Sequence, residues 1–214
     1  LAVAGLEPDC VTIYQLEVTH NSVLYSLLRR GAGPSLASWS EKRRWVDRAF
    51  RALEKVGYTI GSGYMAIRNP ESWRFVYTVE NFWHGADLLA LGETAFGHFQ
   101  GVHYQNADSL DGYVSLVRGG RLPLRRVRGL SDEEKLRREL ILQLKTGALD
   151  SVYFQVKFGV DIREKFRREL ESLERRSLLE ARGDSICLTR EGLLRVDSLL
   201  ETFYLEEHRG IRYT

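Results

Sequence analysis

Short β-like runs and helical periods alternate along the first half of this chain. Val11-Thr12-Ile13-Tyr14-Gln15-Leu16-Glu17-Val18 is dense in β-branched and aromatic residues and follows the turn signal Pro8-Asp9, so it predicts a strand. A short helix is expected near 22–30, with a break at Gly31-Ala32-Gly33-Pro34. Ser38 and Glu41 have capping-box spacing, and Trp45, Val46, Ala49, Phe50, Leu53 and Val56 recur at helical intervals before the stop at Gly57. Residues 58–67 then read as a second strand. Strand, helix and strand at this spacing predict the βα unit of a parallel sheet or barrel. The run Asn81-Phe82-Trp83-His84-Gly85-Ala86-Asp87-Leu88-Leu89-Ala90-Leu91-Gly92, closed by Gly101-Val102-His103-Tyr104-Gln105-Asn106, reads as a strand of an enzyme core that delivers side chains to a pocket.

The character changes after Asn106, where helical periods take over. Leu110, Tyr113, Val114 and Val117 mark one helix. Leu136, Leu140, Ile141 and Leu144 mark a second, behind the capping box Ser131-x-x-Glu134 and ahead of Gly147. Phe166, Leu170 and Leu173 mark a third, behind Asp161-x-x-Glu164. Residues 178–188 read as a hairpin turning at Gly183-Asp184, and Thr189 caps a last helix carrying Leu193, Leu194, Val196, Leu199, Leu200 and Phe203. The fold class expected is therefore α/β over 1–106, followed by a mainly α, winged-helix-like domain over 107–214.

Composition narrows the classes. The 214 residues are 43% hydrophobic and 28% charged, which suits a packed core and not disorder. A net charge of +2 gives no strong pull toward nucleic acid or anionic lipid. No stretch approaches the roughly 18 apolar residues that cross a bilayer, and no leader pattern opens the chain. Cys10 and Cys187 lie far apart in apolar runs and read as buried free thiols of a reducing, cytoplasmic compartment. The opening at Leu1, without a methionine, leads us to expect a piece of a longer protein.

Taken in order, a set of short motifs resembles the C-terminal portion of the oxygen-independent coproporphyrinogen III oxidase family, a branch of the radical SAM enzymes. They are Glu7-Pro8-Asp9-x-x-Thr12-Ile13-Tyr14-Gln15, Gly57-Tyr58, Asn81-Phe82-Trp83-x-Gly85-x-Asp87-Leu88-Leu89-x-Leu91-Gly92, and Tyr104-x-Asn106 with Tyr113. Further along come Gly120-x-Leu122-Pro123, Arg138-Glu139-Leu140-Ile141-Leu142, Phe158-Gly159-Val160-Asp161 and Leu188-Thr189-x-x-Gly192. The resemblance implies the end of a partial (β/α) radical SAM barrel in 1–106 and the family's C-terminal domain in 107–214. It also implies two cofactors, S-adenosylmethionine and a [4Fe–4S] cluster held by a CxxxCxxC loop. This chain has no such loop, so the cluster ligands are expected in a missing N-terminal barrel half, and the chain alone is not expected to be active.

By family position, Gln15 and Glu17 abut S-adenosylmethionine at the first strand's end, Phe82 and Trp83 lie against it, and Phe96 adds an apolar contact. An adenine needs a flat apolar wall, and a primary carbon radical needs a dry pocket. The plain alternatives are a barrel-interior polar pair and ordinary aromatic core. Tyr64, His84, His103 and Tyr104 are candidates for substrate contact, set against the structural role that lone histidines usually have. Arg118, Arg121, Arg125, Arg126 and Arg128 offer guanidinium forks to substrate carboxylates, or form a solvated linker.

The substrate implied is a porphyrin or another large small molecule, and the chemistry is oxidative decarboxylation or another radical reaction. Members that decarboxylate coproporphyrinogen are expected to carry glutamine at Trp83 and a small residue at Glu17. The Asn-aromatic-Trp form is similar to the heme-chaperone branch and to methyltransferase and cyclopropanase relatives. A nucleic-acid-binding winged helix is disfavoured, because the last helix sets only Arg190 and Arg195 against Glu191, Asp197 and Glu201.

Overall fold

The capping box written at Ser38 starts the longest helix. In the computed structural model, which describes residues 3–20, 22–74, 76 and 81–210, Ser38 Oγ accepts from the Glu41 amide at 3.3 Å, and the Glu41 carboxylate accepts from the Ser38 amide at 2.8 Å. These bonds hold the Glu41 carboxyl below its usual range. Helix α2 (Trp39–Glu54) follows, after α1 (Val23–Arg29), which Ser22 caps. Its apolar stripe buries Val46, Phe50 and Leu53.

Ahead of the helices lies β1 (Cys10–Thr12), and after them β2 (Tyr58–Ile60) and β3 (Met65–Arg68). The expected single strand over 58–67 is instead a hairpin, with Ile60 opposite Ala66 and Tyr58 opposite Arg68. Gly61-Ser62-Gly63 makes the turn: Ser62 Oγ accepts from Tyr64, Gly61 donates to the Met65 carbonyl, and a Cβ at Gly63 would press on Val196. The strand expected over 11–18 is also short. Its last bond runs from Ile13 to the Tyr64 carbonyl, and the chain beyond is irregular. The sheet order is β1-β3-β2 with both ladders antiparallel, so the predicted parallel pairing of first and second strands is replaced by β3 lying between them.

Contacts divide the chain into two compact units, Leu1–Arg74 with Leu144–Thr214, and Phe75–Gln143. In the first unit, Val46 and Phe50 of α2 pack with Leu194, and Leu53 with Tyr58 and Ala66. Its later part contains β7 (Ala148–Asp150), α5 (Ser151–Phe158), α6 (Ile162–Lys165), α7 (Arg167–Arg175), β8 (Leu179–Arg182) and β9 (Ser185–Leu188). The hairpin at Gly183 forms as expected, and β9 lies between β7 and β8. Helix α5 was not expected; Asp150 caps it by accepting from Val152 and Tyr153. The last helix is two short ones, α8 (Arg190–Leu194) and α9 (Val196–Leu200), breaking at Arg195. Thr189 caps α8, and a Cβ on Gly192 would overlap the Leu178 carbonyl oxygen, so α8 sits against that backbone only through a glycine.

The second unit is built on β4 (Phe96–Phe99), β5 (Val102–Asn106) and β6 (Leu124–Gly129), an antiparallel sheet in that order. Helix α3 (Leu110–Arg118) connects β5 to β6, and α4 (Asp132–Leu144) follows β6. The arginine run is therefore a strand in its second half, exposed along its length, with Arg125 paired to Asp108 and Arg128 to Glu134. Among the described residues, no helix is long and apolar enough to cross a membrane.

Candidate functional site

The run 81–92 is not a strand. Phe82–His84 is one 3-10 turn closed by Gly85 at φ 79°, and only Leu88 bridges to His98 beyond it. A Cβ on Gly85 would overlap the Glu139 carboxylate of α4, which packs directly beneath it. Further along, Asn106 Nδ2 donates to the Ala90 and Gly92 carbonyls at 3.1 and 2.9 Å. Tyr104 Oη accepts from the Ala90 amide at 2.8 Å, and Tyr113 Oη accepts from Gly92 at 3.0 Å. The polar cluster around 104–113 thus pins an irregular segment to β5 and α3.

Strand alternation sorts the sheet's side chains. On one face lie Phe96 and His98 of β4, His103 and Gln105 of β5, and Arg126 and Arg128 of β6. Tyr104 points to the other face, its ring over Gly97. His98 and His103 stand directly opposite each other with ring centroids 4.6 Å apart.

Arg138 of α4 joins this group, its guanidinium centred 5.4 Å from the Phe82 ring. Burial lowers the His98 pKa to about 4, and the positive Arg138 and neighbouring His103 push the same way. Burial and Arg138 also lower His103, against a hydrogen bond with the Gly97 backbone. Burial depresses Arg138 itself, opposed by Glu139 and Asp87. Both imidazoles are therefore neutral at pH 7, facing one fixed cation.

The expected site residues fall out as follows. Phe82 is half-buried under Arg138, Trp83 is buried, and His84 is half-buried at the end of the turn. Phe96 is 69% exposed at the sheet edge. Of the nine, Phe82 and His103 come together around Arg138. Gln15, Glu17 and Tyr64 belong to the first unit. Gln15 follows β1, with Nε2 donating to the Leu194 carbonyl at 3.4 Å and Oε1 buried without a partner, while Glu17 is exposed. Tyr64 donates to Asp197, whose carboxylate is 3.7 Å from Lys145 Nζ. Burial and that carboxylate drive the Tyr64 pKa far up.

Two residues of this group, His98 and Arg138, are not among the nine site residues expected from the sequence. His98 was legible as the alternate position to Phe96 once 96–99 is read as a strand. Arg138 was visible as the first residue of the family-like run Arg138-Glu139-Leu140-Ile141-Leu142, with nothing in that run to mark it as a site residue.

A [4Fe–4S] cluster does not fit the residues present. Cys10 and Cys187 are the only cysteines, and they sit on strands of two different sheets. No group of three potential metal ligands occurs among the described residues.

A family model described as the HemN C-terminal domain matches residues 130–195. The oxygen-independent coproporphyrinogen III oxidase of Helicobacter pylori is 27% identical over 217 residues, covering 94% of this chain and 46% of the relative. The heme chaperone HemW of Bacillus subtilis is 23% identical over 194 residues, covering 89% of this chain and 49% of the relative. Among solved structures, coproporphyrinogen III oxidase (HemN) from Escherichia coli, described as a radical SAM enzyme, matches with a TM-score of 0.69 at 19% identity. That match covers 94% of this chain and 49% of the other. The chain thus spans about half the length of the curated relatives it matches.

Proposed function

Because the chain belongs to the oxygen-independent coproporphyrinogen III oxidase-like family and carries its C-terminal domain, we propose that it is the C-terminal portion of a radical SAM protein acting on a porphyrin-type substrate in the cytoplasm. One observation carries this reading: relatives align with nearly the whole of these residues while extending to about twice their length. In this reading, residues outside the 214 supply the cluster ligands. Residues 1–106 end a partial (β/α) barrel and 107–214 form the winged-helix-like domain; the order of helix, strand, three short helices and hairpin from α4 to β9 supports this for the part from Asp132 onward, whereas β6 pairs with β5 across the 106/107 boundary.

Within the second unit, Phe82, Trp83 and Phe96 are assigned to S-adenosylmethionine and His84 and His103 to substrate, while Tyr104, on the sheet face opposite His103, serves by holding the Ala90 segment. Within the first unit, Gln15 and Glu17 are assigned to S-adenosylmethionine and Tyr64 to substrate. The exposed Phe96 ring and the unpartnered Gln15 Oε1 support the S-adenosylmethionine assignments, being an apolar face and an acceptor still open to a ligand.

The test is anaerobic reconstitution of the full-length protein, with 5′-deoxyadenosine measured with and without coproporphyrinogen. Formation of 5′-deoxyadenosine is expected, together with weaker S-adenosylmethionine use in Trp83→Ala. No product with any reductant overturns the radical reading. The match to the Bacillus subtilis heme chaperone favours a second reading, heme carriage on the same scaffold. Heme retention by a full-length protein that makes no 5′-deoxyadenosine would select it.

A further inference from the structure

His98 is only 6% exposed, yet its Nδ1 is buried with no hydrogen-bond partner. Arg138 Nη1 is likewise buried and unpartnered. Buried donors are almost always satisfied, and a guanidinium is the costliest to leave open. The acids nearby do not close the gap. Asp87 Oδ1 already accepts from the Gln100 amide at 2.7 Å, and Glu139 is packed beneath Gly85. Both act on Arg138 through charge, but neither bonds Nη1.

The open chemistry is one fixed cation beside one neutral imidazole nitrogen that can carry a proton. A cation would be repelled by the guanidinium. A carboxylate matches both donors, since its two oxygens accept separately and its charge offsets Arg138.

We propose that Arg138 and His98 form a carboxylate-binding subsite, in which one oxygen of a ligand carboxylate accepts from Arg138 Nη1 and the other from His98 Nδ1–H. The ligand class is a small molecule bearing a carboxylate on an apolar body, because Phe82 offers a ring face beside the guanidinium and the exposed Phe96 lies on the same sheet face as His98. The remaining charges facing the imidazoles are Asp87, Lys135, Arg128 and Glu134, together with His103 itself. Binding requires neither cluster nor S-adenosylmethionine, so the subsite and the radical reading stand or fall separately.

The test uses the full 214-residue chain, with histidine and arginine side-chain NMR resonances followed during titration with benzoate, and with chloride at matched ionic strength. Saturable shifts at His98 are expected with benzoate alone, with an affinity of about 1–10 mM and an upward move of the His98 titration midpoint. Arg138→Gln should abolish the saturable shift, and Arg138→Lys should retain it about tenfold weaker. Should Arg138→Gln fail to fold, His98→Phe serves in its place, read at the Arg138 resonances, with affinity expected to fall about tenfold. No saturable shift, an equal response to chloride, or unchanged affinity in the substituted protein overturns the subsite.

Discussion

Asn106 donates its side-chain amide to the Gly92 carbonyl at 2.9 Å, and the same nitrogen reaches the Ala90 carbonyl at 3.1 Å. Asn106 is almost completely buried, so these bonds replace water for two carbonyls of a segment with little regular structure of its own. Asn106→Ala leaves both acceptors short and should cost about 1–3 kcal/mol. Urea unfolding measures this, and an unchanged midpoint would show that the two bonds carry no weight.

The buried His98 makes stability fall in acid. Its folded pKa, about 4, lies below the unfolded value of 6.5, so between these limits the unfolded chain binds the extra proton. Stability is full above pH 6.5 and declines by roughly 2–3 kcal/mol as pH falls toward 4. Denaturant titrations at pH 7, 5.5 and 4.5 would show the slope, and His98→Gln should flatten it. A wild-type slope that survives the substitution would assign the acid sensitivity to other groups.

Gly192 has no room for a side chain, because the Leu178 carbonyl oxygen occupies the place of its Cβ. Gly192→Ala forces α8 off that backbone and should destabilise by about 2–3 kcal/mol. Gly183→Ala, at an open hairpin position, should cost less, about 1 kcal/mol, since only its positive φ of 57° is strained. Thermal unfolding of the pair separates crowding from backbone preference, and equal losses would contradict the crowding.

Arg190 links α8 to α2 from three directions. Nε donates to Asp47 at 2.8 Å, Nη1 to Glu54 at 3.0 Å, and the guanidinium stacks 5.2 Å from the Phe50 ring. Arg190→Lys keeps the charge but loses the fork and the stacking plane, and should cost about 1–2 kcal/mol. Full stability in Arg190→Lys would reduce the contact to charge alone.

Elements whose signals lie within a few residues were legible in the sequence. The Ser38 and Ser131 capping boxes, the Gly183 hairpin and the Thr189 cap all appear where the spacing puts them. The misread segments had apolar patterns without strand partners of the expected kind. Residues 58–67 look continuous in β-branched and aromatic content, but Gly61 and Gly63 let them fold back on themselves. Residues 81–92 look like a strand, yet a left-handed Gly85 and side-chain anchors from Asn106, Tyr104 and Tyr113 hold them in an irregular path. Of the candidate site, the aromatic pair was visible as composition. The His98–His103 pairing depends on a cross-strand register that no local signal encodes, and Arg138 reaches the group only through the packing of α4.

Phe203 closes edge to face on Phe166 with centroids 5.7 Å apart, and Leu194 is covered by Val46 and Phe50. A piece trimmed to 130–195, the span of the HemN C-terminal domain match, keeps Phe166 and Leu194 but discards all three of these covers. Dissecting the protein at those edges would yield a sticky, aggregation-prone fragment, so the tail through Phe203 and helix α2 should travel with it in any expression work.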